Sequence, residues 1–150
     1  MKNFTPLVLL VLTLFITPAI THAEGEGWLT DYNKAIEQAK SENKKVFINF
    51  TGSDWCPWCM KLSKEILSTK EFKDYAKANL VLLFVDFPRS KPQSSAQKAA
   101  NDKLQEKFQI KGYPTVVVLN ASGKEILRTG YMQGGPKVFL ADLQQGLSGK

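Results

Sequence analysis

The chain has 150 residues, 43% of them hydrophobic, with 20 Lys and Arg against 14 Asp and Glu and a net charge of +6 at pH 7. That length suits one domain with one core, and the lysines are scattered, so the charge describes a solvated basic surface rather than a nucleic-acid site. With one histidine, His22, and two cysteines, Cys56 and Cys59, the chain holds neither an imidazole-rich zinc site nor a four-thiolate one.

Lys2, the apolar run from Leu7 to Ile16 and the small-residue site Thr21-His22-Ala23 have the order of a secretory leader, cleaved after Ala23. The run is about half of the ~20 residues that span a bilayer, and Pro18 follows it closely. An uncleaved anchor is the alternative, and it would leave the domain on the same side of the membrane. The expected division is a signal peptide, residues 1–23, and one domain, residues 24–150. Removal of the leader takes His22 with it, which also excludes Cys-His nucleophilic catalysis.

Tyr32, Ala35, Ile36 and Ala39 recur at helical spacing within Asp31 to Asn43, with Thr30 or Asp31 placed to cap the start. Val46 to Phe50 reads as a buried strand, and Thr51-Gly52-Ser53-Asp54 as a turn. A helix is expected over Pro57 to Leu67, a shorter one over Glu71 to Ala78, and a central strand, covered on both faces, over Leu80 to Asp86. Phe87 to Pro92 breaks that strand; Ala96 to Phe108 is again helical. Thr115 to Leu119 is a third strong strand, turned at Asn120 to Gly123 into a more polar, edge-like strand, Glu125 to Thr129. Pro136 stands in the first turn of a last helix. Strands alternating with helices predict an α/β fold, a central mixed β-sheet flanked by helices with an extra helix at the N-terminus.

Two cysteines three positions apart at a helix start lie on one side of its first turn, close enough for a disulfide to open and close with little backbone movement. Cys56, before Pro57, is placed at the N-cap, where free N–H groups favour its thiolate. Cys59 lies deeper and suits a resolving thiol. A permanent staple is the alternative, but so short a loop gains only ~2 kcal/mol from closure, against ~4.7 for a hundred-residue loop. A metal-binding pair would need ligands from a partner.

Trp55-Cys56-Pro57-Trp58-Cys59 after a strand, then Gly112-Tyr113-Pro114-Thr115 before another, resembles the thioredoxin superfamily over nearly all of the mature chain. The resemblance implies a thioredoxin-like fold, a cis Pro114 facing the cysteines, and a substrate groove lined by Tyr113 and Pro114; Trp55, Pro57 and Trp58 are expected to bind substrate beside them. It also marks a departure, because Asn49 stands where thioredoxins usually bury an aspartate that serves the resolving cysteine. The leader, the longer loop Thr51 to Asp54 and the Asp86-Phe87-Pro88-Arg89 segment look like those of exported, periplasmic disulfide reductases.

Strong periplasmic oxidants resemble this motif but carry histidine where Trp58 stands. Trp58 brings no charge, and Asp54 would oppose a thiolate, so a potential of roughly −200 to −270 mV is expected rather than ~−120 mV. The expected function is a thiol–disulfide oxidoreductase reducing proteins or small molecules. A disulfide oxidase or isomerase, a thiol reductant for cytochrome maturation, and a non-catalytic binding module remain alternatives. No nucleotide fingerprint, cofactor or metal is implied. Electrons would come from a membrane dithiol donor of the DsbD type, and a monomer is expected. Tyr131 could join Trp55, Trp58 and Tyr113 in an apolar collar, and Gly130 could let a substrate backbone approach.

Overall fold

A computed structural model describes residues 27–148; the expected leader, residues 1–23 with His22, lies outside them. The described elements are β1 (Trp28–Leu29), α1 (Tyr32–Glu42), β2 (Lys45–Thr51), α2 (Pro57–Leu62), a π-helical turn (Ser63–Leu67), α3 (Lys70–Asn79), β3 (Leu80–Asp86), α4 (Ser95–Lys107), β4 (Thr115–Leu119), β5 (Glu125–Thr129) and α5 (Gly135–Ser148). The sheet runs β1-β3-β2-β4-β5, with β2 parallel to β3 and antiparallel to β4, and β4 antiparallel to β5. This is the mixed, helix-flanked sheet that the alternation of elements predicts, with β5 at an edge.

Both faces of β2 are buried, which is why it reads as an almost continuous apolar run. Val46, Ile48 and Phe50 pack with Ala35 and Ala39 of α1 and Leu104 of α4. Phe47, on the opposite face, packs with Leu62, Ile66, Phe72 and Phe139. Its ring meets those of Trp28, Phe72 and Phe139 edge-on at 6.1, 5.4 and 6.4 Å. Asn49 and Thr51 alternate with Phe47, so they share its face, the one covered by α2, α3 and α5.

Capping side chains set the helix starts. Asp31 accepts from the N–H groups of Asn33 and Lys34, Thr69 from Phe72, and Ser94 from Gln97. Two features depart from the sequence reading. β1 was not expected; it is two residues long and pairs with β3, burying Trp28 between Phe47 and Phe84. The single helix expected over Pro57 to Leu67 widens at Ser63 into a π turn, closed by the Ser68 N–H donating to the Ser63 carbonyl at 2.9 Å. The wider turn lets the adjacent Ile66 and Leu67 both face the core. No helix among the described residues is long and apolar enough to cross a membrane.

Candidate active site

The chain leaves β2 at Thr51 and enters α2 at Pro57 through a turn in which the N–H groups of Trp55 and Cys56 donate to the Gly52 carbonyl at 3.3 and 2.9 Å. Cys56 is the N-cap of α2, in extended conformation, and Pro57 takes the first helical position, where a missing N–H costs nothing. The Cys56 Sγ accepts from the Cys59 N–H at 3.2 Å and lies 3.7 Å from the Tyr113 carbonyl oxygen. Cys59, whose Sγ receives the Gly52 N–H at 3.5 Å, is joined to Cys56 by a disulfide, with 5.2 Å between the Cα atoms. The two cysteines are 4% and 3% exposed, so exposure does not separate them. Their surroundings do: Cys56 faces the loop before β4, whereas Cys59 faces the end of β2.

The Tyr113–Pro114 peptide bond is cis, as the resemblance implies. Trp55 stands edge-on to Tyr113 at 5.9 Å, and Tyr113 packs on Phe87 at 5.2 Å. Trp55 donates through Nε1 to the Phe87 carbonyl at 2.8 Å, and the Arg89 guanidinium lies 3.8 Å over its ring. Trp58 forms a second group, 52% exposed, with its ring 5.5 Å from that of Tyr131 and the Lys61 ammonium 4.8 Å above it. Trp55 thus packs with Tyr113, whose carbonyl faces Cys56, and Trp58 packs with Tyr131. What approaches Gly130 is the chain itself: a Cβ there would meet the Pro114 carbonyl at 3.1 Å.

The phenols are held neutral. The hydrogen bond that Tyr131 donates to Glu65, 2.6 Å, raises its pKa, and burial followed by the charge of Asp102 raises that of Tyr113. Asp54, expected to weigh against a Cys56 thiolate, directs its carboxylate elsewhere. It accepts from the backbone N–H groups of Arg89, Ser90 and Lys91 at 2.7 to 3.2 Å, and the Arg89 N–H is the largest cause of its lowered pKa. Asn49 is 2% exposed, between Phe84 and Val116 in the sheet register, and its Oδ1 accepts no hydrogen bond.

Sequence reasoning missed Gly52, Asp54, Phe87 and Arg89 as parts of this frame. Gly52 has a steric reason, because a Cβ there would stand 2.4 Å from the Trp55 ring. Phe87 and Arg89 meet the turn of Asp54 and Trp55 across more than thirty residues of chain, through the Phe87 carbonyl and the Arg89 N–H.

A Cys-x-x-Cys disulfide at a helix start, facing a cis-proline loop on a mixed sheet, defines one class of protein. The chain matches the thioredoxin-like domain family over residues 32–146 and belongs to it; it is a thiol–disulfide oxidoreductase. It is 35% identical over 116 residues to the disulfide bond reductase DsbH of Chlamydia pneumoniae, covering 77% of this chain and 70% of that protein. A solved DsbH oxidoreductase structure superposes with a TM-score of 0.77 at 34% identity, over 82% of this chain and 85% of the other. The thioredoxin-related protein DsbJ of C. pneumoniae is 30% identical over 135 residues, 87% of this chain but 38% of that protein.

Proposed function

We propose that this oxidoreductase is a disulfide reductase of the periplasm, exported by cleavage of residues 1–23, that reduces disulfides in proteins or small molecules. The Cys56 thiolate attacks a substrate disulfide, forming a mixed disulfide and releasing one substrate thiolate, which takes up a proton. Cys59 then attacks the Cys56 sulfur and releases the second thiol, leaving the Cys56–Cys59 disulfide. The observation that carries the assignment is the N-cap Sγ of Cys56, which accepts the Cys59 N–H while facing the Tyr113 carbonyl. An extended substrate segment would lie along Trp55, Tyr113 and Pro114, with Pro57 and the exposed Trp58 on its other side. Each turnover consumes two electrons, supplied in this reading by a membrane dithiol donor of the DsbD type. The uncharged Trp58 and the likeness to a disulfide bond reductase both favour reduction over oxidation.

The test is substrate trapping. Cys59→Ala should accumulate mixed disulfides with periplasmic proteins, and Cys56→Ser should trap none. Equal trapping by Cys56→Ser would reverse the roles. Insulin reduction with dithiothreitol should run well above background with the unaltered protein; a background rate would leave only a binding module.

A further inference from the structure

The two tryptophans that bracket Cys56 in the chain, Trp55 and Trp58, each carry a cation on the ring. The Arg89 guanidinium lies 3.8 Å over Trp55 and the Lys61 ammonium 4.8 Å over Trp58. Arg89 is fixed at both ends, because its backbone N–H donates to the Asp54 carboxylate at 3.0 Å while its side chain rests on the next residue of the same turn. Trp55 is held in its turn by the bond to the Phe87 carbonyl and by Tyr113, whose own carbonyl faces the Cys56 sulfur. The guanidinium is thus one ring removed from the residue that faces the reactive atom.

Stacking occupies the face of a guanidinium and leaves the N–H donors along its edge free. Both cations are exposed, and among the described residues no carboxylate pairs with either of them. The acids of the same two groups are engaged elsewhere: Asp54 holds the backbone N–H groups of residues 89 to 91, and Glu65 accepts the Tyr131 hydroxyl. A fork already held in place loses little freedom when it takes up a ligand, and a carboxylate is the group that its donors match two at a time. Arg89 belongs to the group of Trp55, Tyr113 and Phe87, and Lys61 to that of Trp58 and Tyr131. Cations on two separate groups suit an extended chain with acidic residues about its cysteine better than a small disulfide.

We propose that Arg89, seconded by Lys61, sets the specificity of the reductase and selects disulfides that lie in acidic segments of protein substrates; this names the substrate class of the reading above and rests on it. An Asp or Glu side chain beside the substrate cysteine accepts from the Arg89 N–H groups as the segment settles along Trp55 and Tyr113. The Cys56 thiolate then attacks that cysteine's sulfur. The bond from Cys56 to the substrate forms as the substrate S–S bond breaks, and the second substrate sulfur leaves with the electron pair and takes a proton from solvent. Arg89 touches the substrate but not the reacting atoms, so it governs which disulfide is attacked rather than the exchange itself.

Three capped peptides of one sequence, with Glu, Gln or Lys on both sides of a cysteine activated as its thiopyridyl disulfide, provide the test. The reduced protein attacks the peptide sulfur and releases thiopyridone, whose absorbance gives the rate, and each rate is divided by that of 2-mercaptoethanol with the same peptide. At low salt the Glu peptide should react roughly tenfold faster than the Lys peptide, with the Gln peptide between them. The order should fade in about 1 M salt, where the screening length is ~3 Å. Arg89→Gln, which can still lie flat on Trp55, should lower the Glu-to-Lys ratio roughly threefold or more, and Arg89→Glu should bring it to about one or below. Taking the ratio cancels any change in the Cys56 thiolate. Lys124→Gln, between β4 and β5 at the far end of β4 from Pro114, should leave the ratio unchanged. The same ratio in Arg89→Gln as in the unaltered protein, or an equal fall in Lys124→Gln, overturns the proposal. Slowing by Arg89→Gln that is confined to glutathione disulfide overturns it as well, by moving the selection to small molecules. If Cys56→Ser released thiopyridone as fast as the unaltered protein, the assignment of the nucleophile would fall instead.

Discussion

Gly52→Ala tests whether the active-site turn is shaped by the ring of Trp55. The added Cβ would stand 2.4, 2.6 and 2.7 Å from three atoms of that ring, far inside ordinary contact. If the ring holds its place, overpacking costs about 1–3 kcal/mol. If it moves, it forfeits the bond from Nε1 to the Phe87 carbonyl, about 1 kcal/mol, and the Arg89 stack, about 0.5–1 kcal/mol. Against either loss, alanine restricts the unfolded chain and returns about 0.4–1 kcal/mol, because Gly52 does not occupy the left-handed region. The net is a destabilisation of about 0.5–1.5 kcal/mol where the ring moves and at most about 2.5 kcal/mol where it holds, measurable by urea denaturation. In a Trp55→Ala background the clash is gone and only the entropic gain remains, so the same substitution should stabilise. A double-mutant cycle therefore predicts a change of sign. Equal destabilisation in both backgrounds would refute the packing argument.

Phe47→Ala, which removes a fully buried ring from among Trp28, Phe72 and Phe139, should cost about 3–5 kcal/mol in the same denaturation assay; a loss under about 1.5 would mean the cavity collapses freely. The lowered pKa of Asp54 means that its hold on residues 89 to 91 is complete above the ordinary carboxyl value of 3.8 and is lost as the pH falls through the lower folded value. The amide proton shifts of Arg89, Ser90 and Lys91 should therefore titrate together with a midpoint below 3.8, and a midpoint at or above it would count against the hold. Trp58→His should cost only about 0.5–1 kcal/mol of stability, since the side chain is half exposed and loses the Lys61 and Tyr131 contacts alone. Once protonated, the imidazole should raise the reduction potential by at least about 30 mV towards that of the strong oxidants, read by equilibration with glutathione.

The central strands were legible because both their faces are buried, which turns β2, β3 and β4 into β-branched and aromatic runs that no surface segment imitates. Cys56 at a helix start was legible too, since Pro57 fits few places other than a first helical position. β1 was not, because two residues have no period to detect. The π turn was hidden by Leu62 and Ile66, whose spacing of four suits an ordinary helix equally well; only the burial of Leu67 beside Ile66 betrays it. The frame of the site left the faintest trace. Asp54 reaches residues 89 to 91 through main-chain N–H groups, and Ser53 meets Asp86 across 33 positions, so neither contact has a local spacing to read.

The hold of Asp54 on the loop after β3 bears on how such an enzyme can diverge. A carboxylate that binds backbone N–H groups is indifferent to the side chains those residues carry. Ser90 can be exchanged for another residue that keeps its N–H while the loop holds its place against the turn that presents Cys56, whereas Arg89 also stacks on Trp55. The rim beside the reactive sulfur is thus open to changes of charge and size that leave its scaffold standing, so related enzymes can acquire new substrate preferences there without rebuilding the cysteine site.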